Sequence, residues 1–219
     1  MPLKLAVLLS GSGTTLQNLI DRIEAGELSA TVGCVISSQP SAYGLERAKQ
    51  HGIPHTAITR KQFPDGKAFN CALWQEIAGH NVDLVALAGF MCRLEIPKDF
   101  ENRIMNVHPA LLPAFCGKGM YGHHVYEAVL ASGAKITGAT VHFVDNEYDH
   151  GPIIWQQPVP VFDDDTADTL AKRVFEVEKE AYPHVLRLLA AGKIKLEGGR
   201  VKLLKIQRPK TSSMDEANI

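Results

Sequence analysis

The sequence predicts an α/β fold built on a doubly wound, mostly parallel sheet, and three observations carry that reading. Leu3–Leu9 and Val82–Ala88 are short, nearly unbroken apolar runs, the pattern of strands buried on both faces. Between such runs lie stretches with helical spacing, such as Leu16, Leu19, Ile20 and Ile23. Strand and helix alternate through the first half, and crossover helices demand parallel neighbours. In sheets of this Rossmann-like kind, ligands sit beyond the carboxyl ends of the strands.

In chain order, Leu3–Leu9 is the first strand and runs into Ser10-Gly11-Ser12-Gly13-Thr14-Thr15, then a helix. Thr31–Ser37 is the second strand, and Ser41–His51 is a helix closed by Gly52 and Pro54. Residues 54–58 make a short third strand. Lys67–Gly79 is helical, with Phe69, Leu73 and Ile77 on its buried stripe. Val82–Ala88 is the fourth strand and Ile104–Val107 the fifth. Pro113–Gly122 has too many glycines for a helix and reads as a loop over a site. A helix follows over His123–Ser132. Ile136–Val144 and Ile153–Val161 are strands joined by a short acidic turn, so they pair antiparallel and extend the sheet. Asp163-Asp164-Asp165-Thr166 opens a long helix reaching about Ala190, where acids favour the dipole and need no metal. Pro183 inside it predicts a kink or a local break. Gly198-Gly199 marks a C-terminal hairpin. Residues 1–206 are expected to form a single domain, with a polar tail over 207–219.

A formal net charge of -1 argues against a nonspecific nucleic-acid or membrane surface. No run is long enough to span a bilayer, and the N-terminus reads as a strand rather than a secretion signal. Cys34, Cys71, Cys92 and Cys116 are scattered without a Cys-x-x-Cys pair, so free thiols, no metal and a cytoplasmic setting are expected.

The candidate site gathers at one sheet edge. A strand, a glycine-rich turn and a helix aim backbone N–H groups at an anion. Spacing alone fits a phosphate site and a turn capped by Ser or Thr equally. Gly89-Phe90-Met91-Cys92-Arg93-Leu94 follows the fourth strand and suits either the wall of an aromatic-ligand cleft or a loop packed on the core. Asn106 and His108 share a strand face, and Pro109 keeps His108 extended. An amide donor, an imidazole and a nearby carboxylate can stabilise an oxyanion and move a proton. The carboxylates of Asp145–Pro152 are available for that role, although a solvated turn explains them as well. His142 reads as a half-buried strand residue and Glu178 as an exposed helical acid. Lys118 suits an anion or plain solvation.

Several ordered motifs are similar to one family. LLSGSGTTLQNLID, VISSQPSAYGLERAKQHGI, VALAGFMCRL, NVHPALLPAF and VHFVDNEYDHGPIIWQQPVPV span residues 5 to about 161, and EAYP follows in the last helix. Together they resemble the folate-dependent phosphoribosylglycinamide formyltransferases and imply their formyltransferase fold. The resemblance implies a catalytic set of Asn106, His108 and Asp149. It implies substrate phosphate on Gly13, Thr14 and Thr15, and substrate ribose on Glu178. It implies folate against Lys67, Met91, Cys92, Arg93, Leu94, Asn106 and Asp145. Thr15 departs from the family, which often has Asn there, and the loop CGKGMYGHH is longer than in the family's shorter members. The implied small-molecule partners are glycinamide ribonucleotide and 10-formyltetrahydrofolate, the formyl donor, with a monomer or homodimer as the assembly. Formyltetrahydrofolate deformylases are similar in the same module but carry an additional N-terminal domain. Methionyl-tRNA formyltransferases carry an additional C-terminal one. Neither is expected in a chain whose first strand begins at Leu3 and whose hairpin ends near Lys205. A noncatalytic phosphate-binding module explains the glycine-rich loop but leaves Asn106, His108 and Asp149 without a role.

Overall fold

The computed structural model describes residues 2–204, so the tail expected over 207–219 lies outside the described residues. The strands are β1 (Leu3–Leu9), β2 (Ala30–Ser37), β3 (His55–Ala57), β4 (Leu84–Leu87), β5 (Ile104–His108), β6 (Ile136–Phe143) and β7 (Ile153–Pro160). They form one sheet in the order β3-β2-β1-β4-β5-β6-β7. The first five are mutually parallel. β6 runs antiparallel to both of its neighbours, which is the expected antiparallel extension. The helices are α1 (Thr14–Glu24), α2 (Tyr43–Gln50), α3 (Gly66–Gly79), α4 (His123–Ala131) and α5 (Ala167–Ala190). A hairpin of β8 (Ile194–Glu197) and β9 (Arg200–Leu203) follows α5.

The two-residue period of a strand distributes the core. Leu5, Val7 and Leu9 of β1 pack with Leu16, Leu19 and Ile20 of α1 and with Tyr182, Val185 and Leu186 of α5. Ala6 and Leu8 face the other side, against Phe69, Leu73, Trp74 and Ile77 of α3. The sheet is therefore covered on both faces, which explains the unbroken apolar character of β1. A third cluster joins α4 and the start of α5 to β6 and β7. The edge strand β7 carries Pro158 and Pro160, which offer no N–H to a further strand.

Two details differ from expectation. The acidic run does not enter α5; Thr166 caps the helix and Asp165 pairs with Arg173 through two contacts of 2.7 Å. That guanidinium holds the Asp165 carboxyl well below the usual range. Nor does Pro183 break α5, which runs unbroken through it. Proline lacks the N–H that would bond the Lys179 carbonyl one turn earlier. Asn18 of α1 supplies the missing donor, its Nδ2 lying 2.9 Å from that oxygen.

Candidate active site

The carboxyl ends of β1, β4 and β5 open into one cleft of about 730 Å3. Gly11 to Thr15, Gly89 to Leu94, Asn106, His108, Asp145 to Asp149 and Glu178 all line it. Every residue that the resemblance implied is there except Lys67. Lys67 lines an adjoining groove of about 520 Å3 that shares Arg93 and Asn146 with the cleft.

At one end, the glycine-rich turn leaves its donors free. Gly13 is the N-cap of α1 at φ 70, and no side chain caps the helix. The first helical bond is made by the Gln17 N–H to the Gly13 carbonyl, at 2.9 Å. The N–H groups of Thr14, Thr15 and Leu16 precede it and project from the positive end of the helix. A turn capped by Ser or Thr is thus overturned. The loop is braced from behind by α2. Gly44 N–H donates to the Gly11 carbonyl at 3.1 Å, and Arg47 Nε donates to the Ser12 carbonyl at 2.9 Å. A Cβ on Gly13 would lie 2.6 Å from the Gly44 Cα, so both spacing and φ require glycine. Ser10 joins this end to the next loop by accepting from the Met91 N–H at 2.8 Å.

At the centre stand two histidines and a carboxylate. His108 is 3% exposed. Its Nε2 donates to the Phe115 carbonyl at 2.8 Å, and its Nδ1 lies 3.6 Å from Asp149 Oδ2. Asp149 adopts φ 53, a left-handed conformation that Asp tolerates better than most residues. Its Oδ2 also accepts from the Gly117 N–H at 3.1 Å. Gly151 lets the turn close, because a Cβ there would lie 2.0 Å from the Phe143 carbonyl oxygen.

His142 corrects an expectation. It is 1% exposed rather than half-buried, and it lines the cleft. β5 and β6 place Asn106 directly opposite it. His142 Nδ1 donates to the Phe143 carbonyl at 2.8 Å, which leaves Nε2 to accept from Asn106 Nδ2 at 3.3 Å. Burial lowers its pKa, so the ring is neutral at physiological pH. One N–H of the Asn106 amide is therefore held on His142, and the other remains for a ligand. Among the acids of the turn, Asp149 reaches both imidazoles, at 3.6 Å and 3.8 Å. Asp145 instead holds the exposed His150 at 2.8 Å, and Asn146 Oδ1 accepts from the Ile96 N–H at 2.9 Å.

Glu178 is a second correction. It is half-buried in the cleft wall rather than exposed, and burial pushes its carboxyl up to about 8. Lys118 is exposed on the loop that follows Phe115 and lines the cleft mouth. His142 and the Phe115 carbonyl are among the elements that sequence reasoning did not place in the site. A histidine on the buried face of a strand was the available signal for the first, and a backbone carbonyl leaves none.

The formyl transferase family model matches residues 3–186. The chain belongs to this family. It is 37% identical over 216 residues to a phosphoribosylglycinamide formyltransferase of Haemophilus influenzae, covering 97% of this chain and 99% of that protein. A glycinamide ribonucleotide transformylase of Symbiobacterium toebii superposes with a TM-score of 0.88 at 41% identity, covering 93% of this chain and 95% of the other. Similarity extends to a trifunctional purine biosynthetic protein of Gallus gallus, 41% identical over 90% of this chain, which spans only 20% of that longer protein. The four cysteines are free. No helix among the described residues is long and apolar enough to cross a membrane.

Proposed function

We propose that this chain transfers the formyl group of 10-formyltetrahydrofolate to the primary amine of glycinamide ribonucleotide, a step of purine biosynthesis. The observation that carries the reading is the single cleft with a free helix N-terminus at one end and the Asn106, His108, Asp149 group at its centre. Residues 1–206 are taken as one catalytic domain working in the cytoplasm. The phosphate lies on the N–H groups of Gly13, Thr14 and Thr15, where oriented donors favour a dianion whatever the side chain at Thr15. Glu178 takes the ribose hydroxyls. The folate lies between residues 91–94 and Asp145, with Lys67 and Arg93 at the outer groove as cations for its acidic end.

The chemistry needs no covalent nucleophile from the protein. The amine nitrogen attacks the formyl carbon and the carbonyl electrons move to oxygen. The tetrahedral intermediate then collapses, the bond from carbon to folate nitrogen breaks, and the proton lost by the amine ends on that nitrogen. The free N–H of Asn106 donates to the oxyanion. His108 does so when its Nε2–H exchanges the Phe115 carbonyl for the formyl oxygen. One such donor is worth about 3–4 kcal/mol in a water-poor site. Asp149, beside the His108 Nδ1, orients that ring and relays the amine proton through water to the departing folate nitrogen.

The test is release of tetrahydrofolate from 10-formyltetrahydrofolate, with and without the ribonucleotide. Release that depends on the ribonucleotide supports transfer. Equal release in its absence indicates hydrolysis, and the reading is then wrong.

A further inference from the structure

We infer that Asn18 is a positioning residue: by capping the Lys179 carbonyl that Pro183 leaves without a partner, it locks the phosphate end of the cleft to Glu178. The inference rests on the substrate assignment above. Asn18 lies one turn into α1, just behind Thr14 and Thr15. Its Nδ2 donates 2.9 Å to the carbonyl of the residue next to Glu178. The same turn of α5 is anchored on its other side by the buried Tyr182, whose single hydroxyl proton is shared between the Leu87 carbonyl at 3.0 Å and the Met105 carbonyl at 3.1 Å. Those carbonyls end β4 and precede Asn106 on β5. Glu178 is thus referenced on one side to the strand ends and on the other to the phosphate loop. An exposed ion pair between Arg22 and Glu180 is a second link from α1 to α5, but such pairs hold geometry weakly.

Pro183 makes the Asn18 bond obligatory. In an ordinary helix the Lys179 carbonyl would accept from residue 183, and the tie to α1 would be redundant. With proline there, the donor must come from outside the helix. The ribonucleotide spans from the loop to Glu178, so slack between α1 and α5 weakens its binding. The proposed folate walls, residues 91–94 and Asp145, lie outside α1 and α5, so their spacing is expected to hold.

The experiment compares Asn18→Ala, Pro183→Ala and the double variant for melting temperature and for the KM of each substrate. Asn18→Ala is expected to melt lower and to raise the ribonucleotide KM about fivefold, the loss of one ordinary hydrogen bond expressed as binding. The folate KM and kcat stay within about twofold. Pro183→Ala restores a backbone donor, so the double variant regains its melting temperature. It does not regain the link between helices, so its ribonucleotide KM stays high. If KM recovers along with melting temperature, Asn18 only satisfies a carbonyl and the inference fails. An unchanged ribonucleotide KM in Asn18→Ala overturns it as well. A wild-type enzyme whose folate turnover ignores the ribonucleotide overturns the substrate assignment, and this inference with it.

Discussion

The proposed phosphate end and the proposed catalytic centre of the cleft are built from opposite materials. At the glycine-rich loop the available groups are backbone: N–H groups left free because Gly13, rather than a polar side chain, begins α1. At the centre they are side chains: Asn106, His108, His142 and Asp149, each held by partners from other elements. The difference teaches that the two ends have different sensitivities. On the proposed assignment the centre should fail when a functional group is exchanged, whereas the loop should fail only when its backbone path is disturbed.

The largest expected effect comes from breaking the centre. His108→Ala and Asp149→Asn are each expected to lower kcat at least about a hundredfold, with an unchanged circular dichroism spectrum. Near-normal turnover in either purified variant would remove that residue from the chemistry. Next is the loop. Gly13→Ala forces a Cβ into a left-handed position 2.6 Å from the Gly44 Cα. The left-handed conformation alone costs about 1–2 kcal/mol, and the ribonucleotide KM should rise about tenfold or more, with the folate KM unmoved.

Third is Glu178 in the cleft wall, whose effect is read as stability against pH. Burial raises its carboxyl from 4.5 in an exposed chain to about 8 in the fold. Its contribution is complete below 4.5, where folded and unfolded forms are both protonated. It is lost as pH climbs toward 8, because the unfolded chain releases the proton and the folded one does not. Glu178→Gln stays neutral, so its melting temperature should gain on the wild type steadily across that window. Parallel curves for the two proteins would mean that the carboxyl is solvated. The smallest effect sharpens the contrast directly. Thr14→Ala leaves every N–H in place, and the ribonucleotide KM should change by less than about twofold. A loss as large as that of Gly13→Ala would move the phosphate contact from backbone to hydroxyl.

The same contrast governs how far the site could be read from the chain. Ser10-Gly11-Ser12-Gly13 announces a backbone site because its signal is local: a strand, a turn that needs glycine, a helix. What spacing left open was whether a side chain caps the turn, and the close approach of Gly13 to Gly44 of α2 answers that. Asn106 and His108 announced themselves through strand alternation. His142 did not, because it meets Asn106 only through the pairing of β5 with β6, 36 residues away in sequence. The Phe115 carbonyl was illegible altogether, since every residue carries one.

Apolar periodicity was enough to place the strands and helices along the chain, and their parallel alternation was enough to bring three loops to one edge of the sheet. Motif resemblance then pointed to Asp149 among the neighbouring acids. Geometry supplied what no linear pattern encodes. Asp149 turns back toward two imidazoles because it sits at φ 53, with Gly151 passing the Phe143 carbonyl behind it. Pro183 stays inside an unbroken helix because Asn18, 161 residues from Lys179, donates the bond that proline lacks. Periodicity reports which face of an element is buried, since burial is a property of each residue. A hydrogen bond between distant residues needs two positions to meet in space, and that follows only from packing α1, α5 and the sheet together.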